Sequence, residues 1–200
     1  DLQLATSRAR HAAQPDNAEL AFSHSLAWRN RGVMLEGLGD FSGALAAHQR
    51  AAELQAPLLD RSRAYRVAHA LTRLAQGRLQ ARLGAAAAGR REIDAALATL
   101  RTAQHDEPQR LEFREHLMTA WLVSASQRSS SREAAADRAQ AERIRDDLQR
   151  EGRLAPRFAA FGAVATLTTV SEHETHAATP PTSHDALGAL VAHQRGGRLW

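Results

Sequence analysis

The chain has 200 residues, 44% of them hydrophobic, and its 26 basic residues, all Arg, exceed the 22 acidic ones to give a net charge of +4. Its longest uncharged stretch, residues 158–171, is shorter than the roughly 20 residues that span a bilayer, and it has no Cys. This composition excludes a membrane helix, a disulfide scaffold and a Cys-ligated zinc site. Because the chain starts at Asp1 without a leader pattern, we expect it to be a piece of a longer protein.

The first predicted elements are helices separated by regularly spaced prolines. Residues 1–14 have the pattern of the second helix of a hairpin, a half repeat, and Pro15 ends it. Residues 16–57 then form a full unit, in which Gly39 stops one helix and Asp40 caps the next, which ends before Pro57. The recurrence of proline at Pro108 and Pro156 favours internal repetition.

The next two units repeat this plan. Residues 58–107 predict a helix over about 62–83, an alanine-rich break over 84–89 and a helix from about residue 90 to 104. A shift of 45 residues places Gly32 on Gly77 and Gly39 on Gly84. Residues 108–155 predict a helix to about residue 127 and a long second helix to about 151, with Ser130 and Glu133 as a capping box between them.

The remaining residues predict the end of the helical domain and a separate tail. A short capping helix after Pro156 would close a domain of residues 1–170. Residues 171–183 lack a periodic apolar face and have the composition of a linker. A final helix and tail over 184–200 would present apolar residues that need a partner surface, so self-association through this helix stays open.

One stretch carries a resemblance to a known family. Trp28, Gly32 and the turn 39–41, followed by Ala44 and Ala51, stand at the spacing of the tetratricopeptide signature, and the first unit resembles this repeat. The positions that depart from the signature are Arg31, Leu35, His48 and Pro57, the last of which lies one place late.

The resemblance implies a fold and a function. The fold would be all-α, an array of antiparallel helix hairpins wound into a right-handed α-solenoid, and the function would be non-catalytic binding of a protein or peptide. Similar degenerate repeats occur in bacterial regulators, including receptor-type serine/threonine kinases, as docking or sensor portions. The compartment is left open: cytoplasmic, or periplasmic for a sensor region of such a kinase.

The resemblance also selects groove residues, because the first helix of each hairpin lines the concave surface. In some family members the positions of Arg29 and Asn30 hold a partner's terminal carboxylate; the simpler alternative is that Arg29 is solvated at the rim and Asn30 bonds to neighbouring backbone. The full set is Leu26, Arg29, Asn30, Val33 and Glu36 from the first unit, Arg78 and Arg82 from the second, and Trp121 from the third.

Other chemistries are weaker in the sequence. His173 and His176 are three residues apart in a predicted loop, whereas a helical zinc pair needs a spacing of four, so we expect neither a metal nor a cofactor. No Ser, His and Asp set specifies a triad, and we expect no enzyme. Residues 61–91 carry Arg without acidic residues, but the Arg spread around the helix axis, so an acidic protein partner fits this segment at least as well as nucleic acid.

Overall fold

The computed structural model describes residues 2–156 and 158, and in this part of the chain it is all-α. No strand occurs among these residues, which confirms the all-α part of the predicted fold class. A 3-10 turn, Ala56–Leu58, contains Pro57 and follows the third helix. The helices in chain order are α1 Leu2–Ala13, α2 Ala18–Gly37, α3 Phe41–Gln55, α4 Arg63–Arg82, α5 Ala86–Asp106, α6 Leu111–Gln127 and α7 Ser131–Arg150.

Side-chain caps explain where four of these helices begin. Asp40 accepts a hydrogen bond from the backbone N–H of Gly43 at 2.8 Å, and Ser130 accepts one from Glu133 at 3.4 Å, as the sequence predicts. Asn17 and Ser62 cap α2 and α4 in the same way. Each cap satisfies backbone donors that the first helical turn leaves without a partner.

Two helix pairs repeat each other closely. The bounds of α2 and α4 are offset by 45 residues at both ends. At the same offset Gly39 and Gly84 end their helices with φ values of +82° and +91°, which glycine adopts without steric cost.

The crossing points of the two pairs are also glycines at this offset. A Cβ on Gly32 would lie 2.7 Å from Nε2 of His48 in α3, and a Cβ on Gly77 would lie 2.5 Å from the carbonyl oxygen of Gly89 in α5. The small residue therefore sets the close approach of each pair, as predicted for Gly32.

The predicted start of α5 is wrong. The sequence favours a break over residues 84–89 and a helix from residue 90, but α5 begins at Ala86 and Gly89 lies inside it. Gly89 is buried against α4, where a Cβ would lie 2.3 Å from the carbonyl oxygen of Gly77. A glycine that permits helix contact has the same local signature as one that breaks a helix, and this caused the error.

The core is formed mainly by contacts between helices that are adjacent in sequence. The largest apolar cluster joins α4, α5 and α6 and includes Leu74, Ile93, Leu100 and Phe113. None of the helices among the described residues is long and apolar enough to cross a membrane. The predicted capping helix after Pro156, the linker 171–183 and the final helix and tail 184–200 lie outside the described residues, apart from residues 156 and 158.

Candidate functional site

One face of α2 lies against α4 and contains two of the predicted groove residues. Phe22, Arg29 and Glu36 are seven residues apart and therefore share one face of the helix. The ring of Phe22 packs against the ring of Tyr65 of α4 at a tilt of 45°, with centroids 4.6 Å apart, and Arg78 of α4 donates a hydrogen bond to Glu36. We call the region between these two contacts the α2–α4 seam; the seven-residue spacing places Arg29 between them along α2.

Arg29 is a cation without a counter-ion in the seam. Its side chain is largely buried, and among the described residues it has neither a hydrogen bond nor an ion pair. Burial lowers the pKa of its guanidinium, although an arginine stays protonated in proteins. The residue at the 45-residue offset is Leu74, which is buried in the main core. Arg29 thus stands where the second helix pair has an apolar residue.

Asn30 adds further hydrogen-bonding capacity next to Arg29. Within the described part of the chain its side-chain amide has no hydrogen-bond partner. The structure therefore lacks the bond to neighbouring backbone that the simpler alternative expected. Leu26 and Val33 are half-buried on the same helix. Guanidinium and amide donors beside apolar side chains suit a carboxylate flanked by hydrophobic groups.

Glu36 and Arg78 were both predicted to face a ligand, but in the structure they form a hydrogen-bonded ion pair with each other, although they are 42 residues apart in sequence. Glu36 is only 8% exposed and also lies 3.3 Å from Nε2 of His48. Burial alone would raise the pKa of Glu36, but the hydrogen bond with His48 and the charge of Arg78 outweigh it and hold that pKa below its ordinary value. The pair closes one end of the seam.

The other two predicted residues lie elsewhere. The guanidinium of Arg82 is exposed and lies 3.9 Å from the ring centroid of Phe41, over the start of α3. Trp121 is half-buried on α6, in the floor of a groove that contains no residue of α2, α3 or α4. The structure therefore brings Leu26, Arg29, Asn30, Val33, Glu36 and Arg78 into one region and leaves Arg82 and Trp121 apart.

The sequence analysis did not predict the groove that contains Trp121 as a surface. It has a volume of about 840 Å³ and lies between α5 and α7, with α6 as its floor. Of its residues only Trp121 was predicted, through the family resemblance, because the others come from three helices and the turn before α6, which are brought together only when the helices pack. They are Ala98, Arg101, Thr102, Gln104, His105, Pro108, Gln109, Arg114, Leu117, Gln140, Ile144, Asp147 and Glu151.

A buried Ser and His pair joins α1 to α2 and has the wrong proton arrangement for nucleophilic catalysis. The Trp28 indole N–H donates to Nε2 of His24 at 3.3 Å, so the proton of the neutral ring is on Nδ1. Nδ1 then donates to Oγ of Ser7 at 3.0 Å, and Ser7 donates to the carbonyl of Leu4. His24 offers Ser7 no base, so this pair does not activate the hydroxyl.

The surroundings of His24 favour its neutral form. Burial lowers the pKa of His24, and the nearby charges of His11, Arg50 and Arg8 lower it further. Within the described residues there is no group of three or more His, Asp or Glu side chains arranged to hold a metal ion. His173, His176 and His184, which invited the metal hypothesis, lie outside the described residues.

Comparison with known proteins identifies no family for the chain, so its class is defined by its fold alone. No family model, curated protein or solved structure matches it. The described residues define an all-α protein with a largely buried, uncompensated arginine at a helix–helix seam.

Proposed function

We propose that the chain is a non-catalytic protein-interaction module, built as a tetratricopeptide-like array of antiparallel helix pairs in a right-handed α-solenoid. The 45-residue offset shared by helix bounds, turn glycines and crossing glycines supports the repeat. Contacts between helices adjacent in sequence suit such an array. In this proposal the module is the docking or sensor part of a bacterial regulatory protein.

The observation that carries the proposal is Arg29. An unpaired charge in a largely buried position costs several kcal/mol, and a fold without a use for it would gain stability by replacing it with an apolar residue. Leu74 at the equivalent position shows what such a replacement looks like. We infer that the ligand supplies the missing anion as a carboxylate of a protein or peptide, with Asn30 donating to the same group.

The distribution of the other arginines favours a protein partner over nucleic acid. In the basic stretch 61–91, Arg63 is bonded to Asp106 at 3.0 Å and Arg73 to Glu92 at 2.5 Å, while Arg78 is bonded to Glu36. Neighbouring helices thus neutralise part of the basic segment. Three of the eight Arg in this stretch therefore have a carboxylate partner, which reduces the positive charge that a phosphate backbone would meet, whereas one carboxylate needs only the site at Arg29.

Peptide titration tests the proposed function. The probes are fluorescein-labelled acidic peptides with a free C-terminal carboxylate, and the same peptides with that carboxylate amidated. We expect saturable anisotropy changes with the free acid, and at least about tenfold weaker binding for the amide or for Arg29→Leu, since a charge-assisted hydrogen bond contributes about 1.5–3 kcal/mol.

A matched variant and a salt series make the result specific. Arg61→Leu removes one cation from an exposed position and should leave the affinity for the free acid unchanged. Equal binding of acid and amide, or equal loss in Arg61→Leu and Arg29→Leu, would contradict the role of Arg29. Filter binding of DNA and RNA at low salt tests the alternative function, because nucleic-acid affinity falls steeply as salt rises.

A further inference from the structure

Helix α1 packs mainly on α2 and buries little of its own surface there. Ser7 is its only buried residue, whereas Leu4 and His11 are half-buried and Leu2 is 83% exposed. The contact between the two helices therefore removes little apolar area from water. The attachment of α1 depends on the polar groups that lie between it and α2.

His24 of α2 is the centre of these polar groups. It is 6% exposed, and both of its ring nitrogens have partners: Nδ1 donates to Oγ of Ser7 at 3.0 Å, and Nε2 accepts from the indole N–H of Trp28 at 3.3 Å. The ring of His11 in α1 lies beside it, with centroids 5.8 Å apart. The neutral form of His24 thus has all its hydrogen bonds in place beneath α1.

A proton on His24 would disturb this arrangement at Nε2. The protonated ring carries an N–H on both nitrogens, so Nε2 no longer accepts a hydrogen bond and faces the indole N–H of Trp28 as a second donor. The bond from Nδ1 to Ser7 is retained. Protonation therefore leaves a charged ring and two opposed donors in a position that α1 shields from water, and both are costly there.

The charged groups around His24 do not compensate such a charge. On one side α1 contributes Arg8 and His11 and contains no acidic residue. On the other side α3 contributes Arg50, which is paired with Glu53 at 2.6 Å on the surface. Burial, and then these cationic groups, lower the pKa of His24 in the folded protein.

Separation of α1 hydrates a charged His24 with less loss of packing than separation of α3. Five residues of α3 are buried, against one of α1. Separation of α1 would also hydrate Nδ1 of His11, which is shielded from solvent and has no hydrogen-bond partner among the described residues. A buried polar atom without a partner favours the arrangement in which water reaches it.

We propose that α1 is a pH-dependent cover: when His24 takes up a proton, α1 separates from α2 while the helices α2 to α7 stay folded. Water then solvates the imidazolium, and the face of α2 around His24 becomes accessible. The cover uses no residue of the α2–α4 seam, so this proposal is independent of carboxylate binding at Arg29.

Hydrogen–deuterium exchange of the full chain, followed by mass spectrometry, tests the release. Protection factors for α1 and α4, corrected for the pH dependence of intrinsic exchange, are compared at pH 7 and pH 5. An exposed imidazole titrates near pH 6.5, so protonation of one imidazole favours the released state by up to about 25-fold between these pH values. We expect the protection of α1 to fall by about tenfold or more. The protection of α4 should stay at least about 100-fold above that of α1, because α1 opens without global unfolding.

Three variants separate His24 from the other charged groups. His24→Gln has no proton to take up in this range and should abolish the pH response of α1. Arg8→Glu places a carboxylate near His24 and should reduce the response by about threefold, since an exposed ion pair contributes little more than this. Arg10→Glu makes the same change at another exposed position of α1 and should leave the response unaltered.

Four results would overturn the proposal. If α1 is unprotected at pH 7, or equally protected at pH 7 and pH 5, no cover is released. If α1 is protected as strongly as α4 at pH 5, the chain opens only as a whole. An undiminished pH response in His24→Gln would place the sensor at another group, such as His11. An equal response in Arg8→Glu and Arg10→Glu would also contradict the role of His24, and this comparison stands even where His24→Gln does not fold. Peptide binding at Arg29 is measured separately, so either proposal can fail without the other.

Discussion

Replacing Arg29 with Leu should make the protein more stable. The change removes a largely buried guanidinium that lacks a counter-ion and introduces the residue that the second helix pair buries at the equivalent position, Leu74. A fully buried unpaired charge costs about 3–5 kcal/mol, and part of that cost is relieved here because Arg29 keeps some solvent contact. We expect a gain of about 2 kcal/mol in the free energy of unfolding, or about 4–8 °C in Tm.

Urea denaturation followed by far-UV circular dichroism measures this gain, with thermal unfolding as a second readout. Arg61→Leu makes the same chemical change at an exposed position and should alter the free energy of unfolding by less than about 0.5 kcal/mol. A loss of more than about 1 kcal/mol in Arg29→Leu would refute the reasoning, because it would mean that Arg29 contributes stabilising contacts and is not held there for a ligand.

Three further predictions concern the packing of the helices. Because burial lowers the pKa of His24 in the folded protein, the unfolded chain takes up a proton more readily below about pH 6.5. The free energy of unfolding should therefore fall as the pH drops from 7 toward 5. Urea denaturation at several pH values measures this pH dependence, which His24→Gln should reduce. Gly77→Ala should cost about 1–3 kcal/mol in the same assay, since its Cβ would lie 2.5 Å from the Gly89 carbonyl oxygen; an unchanged midpoint would contradict this crossing. Asp137→Ala should cost about 2 kcal/mol because it removes the acceptor of Arg128, at 2.8 Å, while Arg132→Ala on the exposed face of α7 should be neutral.

The elements that could be predicted from the sequence depend on local chemistry. The cap at Asp40 and the turn glycines act within a few residues, so patterns of neighbouring residues reveal them. The 45-residue shift can be recognised in the sequence because Gly32 and Gly77 lie at corresponding helix crossings, and each crossing requires a small residue. The start of α5 was missed since Gly89 serves the crossing with Gly77 and does not end a helix.

The candidate site could be predicted only in part, because charge pairing depends on how helices approach each other. The bond between Glu36 and Arg78 joins two residues 42 positions apart, and no local pattern indicates it. The absence of a counter-ion at Arg29 is likewise a property of the packed seam. The groove beside Trp121 is formed by three helices together, so the family resemblance predicted one of its residues and not the surface.

The central claim is that Arg29 holds a carboxylate of the partner, and NMR of the arginine side chains tests it most directly. The Nε–Hε resonance of Arg29 is identified as the signal that disappears in Arg29→Leu. On titration with the acidic free-acid peptides we predict a saturable downfield shift of this resonance, while that of Arg61 stays in place. If the peptides bind while the Arg29 resonance stays unchanged, or if no arginine resonance responds, the account is contradicted.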